Sequence, residues 1–233
     1  MISPRMAKFI GCLPKCLVNF LSRKIVFSYV KKYANIEVKG LGNIQNIKEP
    51  TIFICNHLSN SDGLILSQVL KKYDPTFVAG IKLSKNSTTS LGINVVKTTS
   101  IKPNSADKDG IKKIIKLLRQ GENVLIFPEG TRSRTASMIE GKKGIILIAK
   151  LAKVPIVPIG IWGSEKLLPI NKDGDMSAEE FHYADVNVNI GSQFEMLSRE
   201  KGEDKKEYEE RTMKNIMMKI AELIPKEYRG VYE

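Results

Sequence analysis

Short, β-prone apolar runs separated by stretches of helical periodicity constrain this chain more than any other feature. The runs fall at 36–38, 51–55, 76–79, 94–96, 123–127, 155–162 and 186–190. Between them, 63–72 and 111–119 place apolar residues at helical spacing; Asp107 and Asp109 supply first-turn carboxylates, and Gly121 marks a stop. Strands alternating with helices build an α/β domain. Val124, Leu125, Ile126 and Phe127 leave no polar face, which suits a central strand covered on both sides. The expected fold is therefore a mixed, mostly parallel sheet flanked by helices. Met213, Ile216, Met217, Ile220, Leu223 and Ile224 add a closing helix near the C-terminus. A chain of 233 residues buries one good core, so the simplest division is an element at 1–34 followed by one α/β domain at 35–233.

The N-terminal element carries an unusual share of the charge. Lys plus Arg number 37 against 25 Asp plus Glu, a net charge of +12. Residues 1–34 contain Arg5, Lys8, Lys15, Arg23, Lys24, Lys31 and Lys32 and no acid. Phe9, Leu13, Leu17 and Phe20 stand at helical spacing, with a break expected near Pro14. Lys15 and the Arg23-Lys24 pair interrupt the apolar stretch, which excludes a run of about 20 residues able to span a bilayer. They also leave a poor signal peptide. Two readings stay open: an amphipathic helix docked on the protein's own core, or interfacial helices on a membrane. The absence of acid favours an anionic bilayer surface, contacted from the cytoplasmic face. Nucleic acid is disfavoured, since no fingerprint accompanies the charge, Trp occurs once, and the aromatics interleave with apolar residues.

Cys12, Cys16 and Cys55 are too few for a disulfide framework, and only His57 and His182 are available to complete a metal set. No metal site is expected.

Two polar segments each follow an apolar run. Asn56, His57, Leu58, Ser59, Asn60, Ser61 and Asp62 follow 51–55; Pro128, Glu129, Gly130, Thr131, Arg132, Ser133 and Arg134 follow 123–127. If the two strands are parallel, both segments open on one edge of the sheet, where crevices form. The spacing of His57 and Asp62 lets a carboxylate hold one ring nitrogen while the other removes a proton from a substrate hydroxyl. The bland alternative is a capped turn, with Asp62 as helix N-cap. No Gly-x-Ser-x-Gly elbow accompanies the pair, and Cys55 lies within the strand, so direct attack by an acceptor hydroxyl fits better than a covalent acyl-enzyme. In the second segment, Pro and Gly fix a sharp turn, Arg132 offers a fork suited to phosphate, and Glu129 can accept from hydroxyls or a basic neighbour. Its bland alternative is an ordinary basic surface loop.

The order of Asn-His-x4-Asp, Phe-Pro-Glu-Gly-Thr-Arg-Ser, the Lys142-Lys143-Gly144 step and the run Val154, Pro155, Ile156, Val157, Pro158 resembles the 1-acylglycerol-3-phosphate O-acyltransferase (lysophosphatidic acid acyltransferase) family. The resemblance covers roughly residues 50 to 165. It implies His57 as general base, Asp62 as its orienter, and Glu129, Gly130, Thr131 and Arg132 as binders of the glycerol phosphate acceptor. It further implies that 154–158 helps form the acyl-donor side. It implies no metal or redox cofactor, a thioester donor (acyl-CoA or acyl-carrier protein), and a lysophospholipid acceptor converted to phosphatidic acid at a membrane. One departure stands out: after Gly92, Thr98 falls where the family usually has a phosphate-holding Arg. Lys97 or Lys102 is the expected substitute, although an ammonium does not reproduce a bidentate fork. That departure leaves a different lysolipid acceptor open. A non-catalytic basic membrane-binding protein is the reading of another class.

Overall fold

A computed structural model describes residues 15–47, 50–80, 95–102, 107–171 and 179–233. The expected break at Pro14 and the side chain of Cys12 lie outside these residues. Helix α1 (Lys15–Tyr33) leads into strand β1 (Ala34–Lys39); then follow β2 (Ile52–Cys55), α2 (Asp62–Val69), β3 (Thr76–Gly80) and β4 (Thr98–Ile101). The second half holds α3 (Lys108–Arg119), β5 (Val124–Ile126), α4 (Gly144–Ala152), β6 (Ile156–Trp162), the short α5 (Ser164–Leu167), β7 (Ala184–Ile190) and α6 (Lys205–Ala221).

The described strands form one seven-stranded sheet in the order β1-β7-β6-β2-β5-β3-β4. All neighbours pair in parallel except β6 and β7. Strands β6, β2, β5, β3 and β4 therefore point one way, and β1 and β7 the other. The central strands are buried on both faces, as their continuous apolar runs require. Ile52, Ile54, Val124 and Ile126 pack with Ile114, Leu118, Ile145, Ile148, Ile216 and Ile220 from α3, α4 and α6 on one face. The alternate residues Phe53, Cys55 and Leu125 pack with Val30 of α1 and Ile65 and Leu66 of α2 on the other. Helix α6 starts on a capping box: Asp204 accepts from the amides of Lys206 and Glu207, and the Glu207 carboxylate accepts from the Asp204 amide.

One strand is displaced from its expected place. The apolar run predicts 94–96, but the edge strand is Thr98–Ile101, while Val95 sits buried in the preceding turn. Helix α1 packs on the protein's own core over part of its length. Its C-terminal half is docked, with Val30 fully buried and Val26, Phe27 and Tyr33 packed against the core. Nearer its start, Leu17 and Phe20 are exposed. No helix among the described residues is long and apolar enough to cross a membrane.

Candidate functional site

Strands β2 and β5 are neighbours in parallel register, with Ile54 opposite Ile126. Each strand ends within a residue of that pair, so the polar segments leave the same edge of the sheet side by side. They are stitched together directly. The amide of His57 donates to Glu129 Oε1 at 2.8 Å, and the amide of Ser133 donates to the His57 carbonyl at 2.8 Å. Asn56 anchors the first segment to β6 from the other side: its Nδ2 donates to the Ile161 carbonyl, and its Oδ1 accepts from the Ile161 amide.

Asp62 lies at the start of α2 and is fully buried. Its Oδ2 accepts from His57 Nδ1 at 2.8 Å, from the Leu58 amide at 2.7 Å and from the Ser59 amide at 2.9 Å. The helix N-cap is Ser61, which makes no side-chain cap bond. Asp62 therefore reaches backward to hold the loop and the imidazole together, which a simple N-cap would not do. With Nδ1–H directed at the carboxylate, the neutral ring carries its lone pair on Nε2. The ring stacks on Phe127, centroids 4.0 Å apart, and its side chain remains 20% exposed. A base held on one face by an aromatic ring and open at its other nitrogen can take a proton from a bound hydroxyl.

Cys55, two residues before the base, is fully buried; burial first, then the charges of Asp62 and Glu129, push its thiol well above the usual range. It is unsuited to a covalent step.

Glu129 does not face the crevice. It is fully buried, and its two oxygens accept from the amides of His57 and Ile139. Burial pushes its carboxyl up to about 7, against the lowering effect of those two amides. Those two bonds fasten the loops to one another. Gly130 and Thr131 are exposed on the turn. Gly130 has φ +71°, in the left-handed region, and a Cβ there would approach Lys142 Cγ to 3.3 Å. Arg132 is partly buried and donates from Nη1 to Glu179 Oε1 at 2.8 Å. Glu179 carries no sequence signal that would have singled it out.

The two expected lysines part company. Lys97 precedes β4 and so lies at the edge of the sheet opposite His57. Its Nζ pairs with Glu122 at 2.7 Å and Asp74 at 3.5 Å, which raises its pKa; the structure does not bring it together with His57 and Arg132. Thr98, at the start of the same strand, shares that edge. Lys102 follows the C-terminal end of β4, on the edge that bears His57 and Arg132, and is exposed. Lys143 pairs with Glu209. Val154 and Pro155 lead into β6, whose Ile156 and Val157 are buried beside β2, so the 154–158 run is partly sheet core.

A family model described as Acyltransferase matches residues 35–162. The chain is 28% identical over 190 residues to the chloroplastic 1-acyl-sn-glycerol-3-phosphate acyltransferase of Brassica napus, covering 78% of this chain and 53% of that protein. To the 1-acyl-sn-glycerol-3-phosphate acyltransferase of Bacillus subtilis it is 29% identical over 148 residues, 61% of this chain and 73% of that protein. The chain spans about half the length of the plant relatives it matches, 53% and 44% for two of them. Among solved structures, the crystal structure of the 1-acyl-sn-glycerophosphate acyltransferase of Thermotoga maritima aligns with TM-score 0.59 and 21% identity. That alignment covers 93% of this chain and 86% of the other, a likeness of fold.

Proposed function

The chain belongs to the acyltransferase family, and on that premise we propose that it moves a fatty acyl chain from a thioester to the free hydroxyl of 1-acylglycerol 3-phosphate, forming phosphatidic acid. The donor is acyl-CoA or acyl-carrier protein. One observation carries the reading: the buried Asp62 carboxylate holds His57 Nδ1 at 2.8 Å while the ring keeps an exposed side. His57 Nε2 takes the proton of the attacking hydroxyl as its oxygen adds to the thioester carbonyl. Collapse of the tetrahedral adduct expels the thiolate, which recovers a proton from the imidazolium. Asp62 stabilises the imidazolium between those steps. Arg132, with Thr131 and Gly130 on the same turn, meets the acceptor phosphate, and Lys102 adds positive charge on that edge.

The acceptor reaches the site from a membrane. Residues 1–34 are the membrane-associating element, resting on an anionic surface without crossing it. In α1, Leu17 and Phe20 are exposed, Lys24 Nζ lies 4.7 Å from the Phe20 ring centroid, and the Arg23 guanidinium lies 5.7 Å from that of Phe27. Apolar rings flanked by cations, with no acid in the helix, suit an anionic lipid interface. The deciding experiment supplies several lysolipids with both donor types and identifies products by mass spectrometry. Phosphatidic acid from the wild type, lost by about 10²-fold or more in a folded His57→Ala variant, is the expected result. Full activity in that variant refutes the mechanism, and preference for another lysolipid refutes the acceptor.

A further inference from the structure

Glu179 lies beyond the matched family region, between α5 and β7, yet it is the residue that ties Arg132 to the base's own loop. Its Oε1 accepts from Arg132 Nη1 at 2.8 Å, and its Oε2 accepts from Nδ2 of Asn60, which stands between His57 and Asp62. The carboxylate side chain is 1% exposed and that of Arg132 17%. We propose that Glu179 is a positioning residue for the acceptor's phosphate: a buried strut that sets the orientation of the Arg132 guanidinium relative to His57. The inference rests on the acceptor reading given above.

The chemistry of the contact supports a strut more than a competitor for the phosphate. Each carboxylate oxygen serves a different loop, so the group is fixed at both ends. The contact to Arg132 uses Nη1 alone. A fork engaged at both prongs would be spent, whereas one engaged at a single nitrogen is aimed and keeps further N–H groups for a phosphate. An unrestrained Arg is rich in rotamers, and ordering it at each binding event weakens binding. A guanidinium held in advance avoids that penalty. His57 is held separately, by Asp62, Glu129 and Ser133, so loss of the strut should reach the phosphate contact before it reaches the base.

The test uses the full chain with Glu179→Ala and Glu179→Gln, thermal melts to establish folding, and kinetics on 1-acylglycerol 3-phosphate. Direct binding of sn-glycerol 3-phosphate, measured by NMR saturation transfer, supplies a readout that needs no turnover. Glu179→Ala should raise the acceptor KM about tenfold while kcat falls less than about threefold and the donor KM holds. Glu179→Gln should recover most of that loss, since its carbonyl can accept from Arg132 while Asn60, with its amide turned over, accepts from its NH2. An unchanged acceptor KM in Glu179→Ala, or a Gln variant as impaired as Ala, overturns the strut and leaves the acyltransferase reading standing. Wild-type binding of glycerol 3-phosphate that Glu179→Ala weakens, without acyl transfer to the lysolipid, overturns the acceptor reading and supports the strut. Failure of the wild type to bind glycerol 3-phosphate overturns the strut.

Discussion

Replacing Asp62 by Asn separates the two things its carboxylate does. Asp62 Oδ2 gathers three donors, from His57, Leu58 and Ser59, while Oδ1 is buried with no hydrogen-bond partner among the described residues. An Asn oxygen can take the place of Oδ2 and keep all three bonds. Its NH2 then occupies the place of Oδ1, which already lacks a partner, so the stability cost is the weakening of three charge-assisted bonds, about 1–3 kcal/mol. For a chain of this size that lowers Tm by roughly 2–10 °C. The catalytic loss has a different origin, because the neutral amide no longer stabilises the imidazolium. Opposite charges about 4 Å apart attract by about 4 kcal/mol at an effective dielectric of 20. The His57 side chain is 20% exposed, so solvent trims that figure. About 3 kcal/mol remains, or roughly 10²-fold in kcat. The assay couples release of the free thiol, or mass spectrometric product formation, to a thermal melt on the same preparation. Expected are a kcat lowered about 10²-fold, an acceptor KM changed less than twofold (about the scatter of such assays), and a lower Tm. If Asp62 only pins the turn, the variant melts early but turns over at the wild-type rate, and that outcome refutes a base–orienter pair.

Three further predictions follow from individual contacts. Glu129 titrates near 7 in the fold against 4.5 for an unperturbed carboxyl, so its folded pKa is raised and the folded state holds its proton more tightly. Its stabilising contribution is complete below about pH 4.5 and is lost as pH rises through 7, up to about 3 kcal/mol. Denaturant titrations should show that decline in the wild type and a flatter profile in Glu129→Gln; parallel profiles would remove the assignment. Lys97→Ala should leave acyl transfer unchanged and cost under about 1 kcal/mol, because its exposed ion pairs lie at the far edge, while Lys102→Ala should raise the acceptor KM about threefold. The reverse ranking would put the phosphate at the wrong edge. Arg23→Glu with Lys24→Glu should abolish sedimentation with anionic vesicles and leave transfer to a detergent-dispersed acceptor intact; retained sedimentation would acquit this face of α1.

What could be read from the chain depended on whether a residue's partner is local. The buried strands are legible because both of their faces are apolar, and α3 is legible from its periodicity and its acidic start, where the structure puts Asp107 at the N-cap rather than in the first turn, accepting from the Gly110 amide. Strand β4 leaves little mark in the sequence because an edge strand need bury little: Thr98, Thr99 and Ser100 carry no apolar signature, whereas the apolar Val95 serves the core from a turn. His57 and Asp62, five residues apart, declared their pairing. Glu129 stands in a segment the sequence marks, but the amides that donate to its oxygens lie 72 and 10 residues away and leave no mark in the pattern. Glu179 reaches Asn60 across 119 residues and Arg132 across 47, which no periodicity can reveal.

The bond between Glu129 and His57 also explains why two motifs so far apart behave as one. Ile54 pairs with Ile126, and three residues beyond each member of that pair, in the loops past the strand ends, stand His57 and Glu129, joined by a hydrogen bond. The sheet register, not the length of chain between the motifs, therefore sets their alignment. Residues can be added between β2 and β5, in the loops around β3, β4 or α3, at the modest entropic cost of a longer loop. A single residue inserted between Ile54 and His57, or between Ile126 and Glu129, slips one motif against the other. It would part the His57 amide from Glu129 and the Ser133 amide from the His57 carbonyl. Those amides are satisfied only through this alignment, so the slip would strand buried polar groups as well as misplace the base. The short distance from strand end to motif is thus the invariant the chemistry needs, and the long interval between the motifs is free to vary.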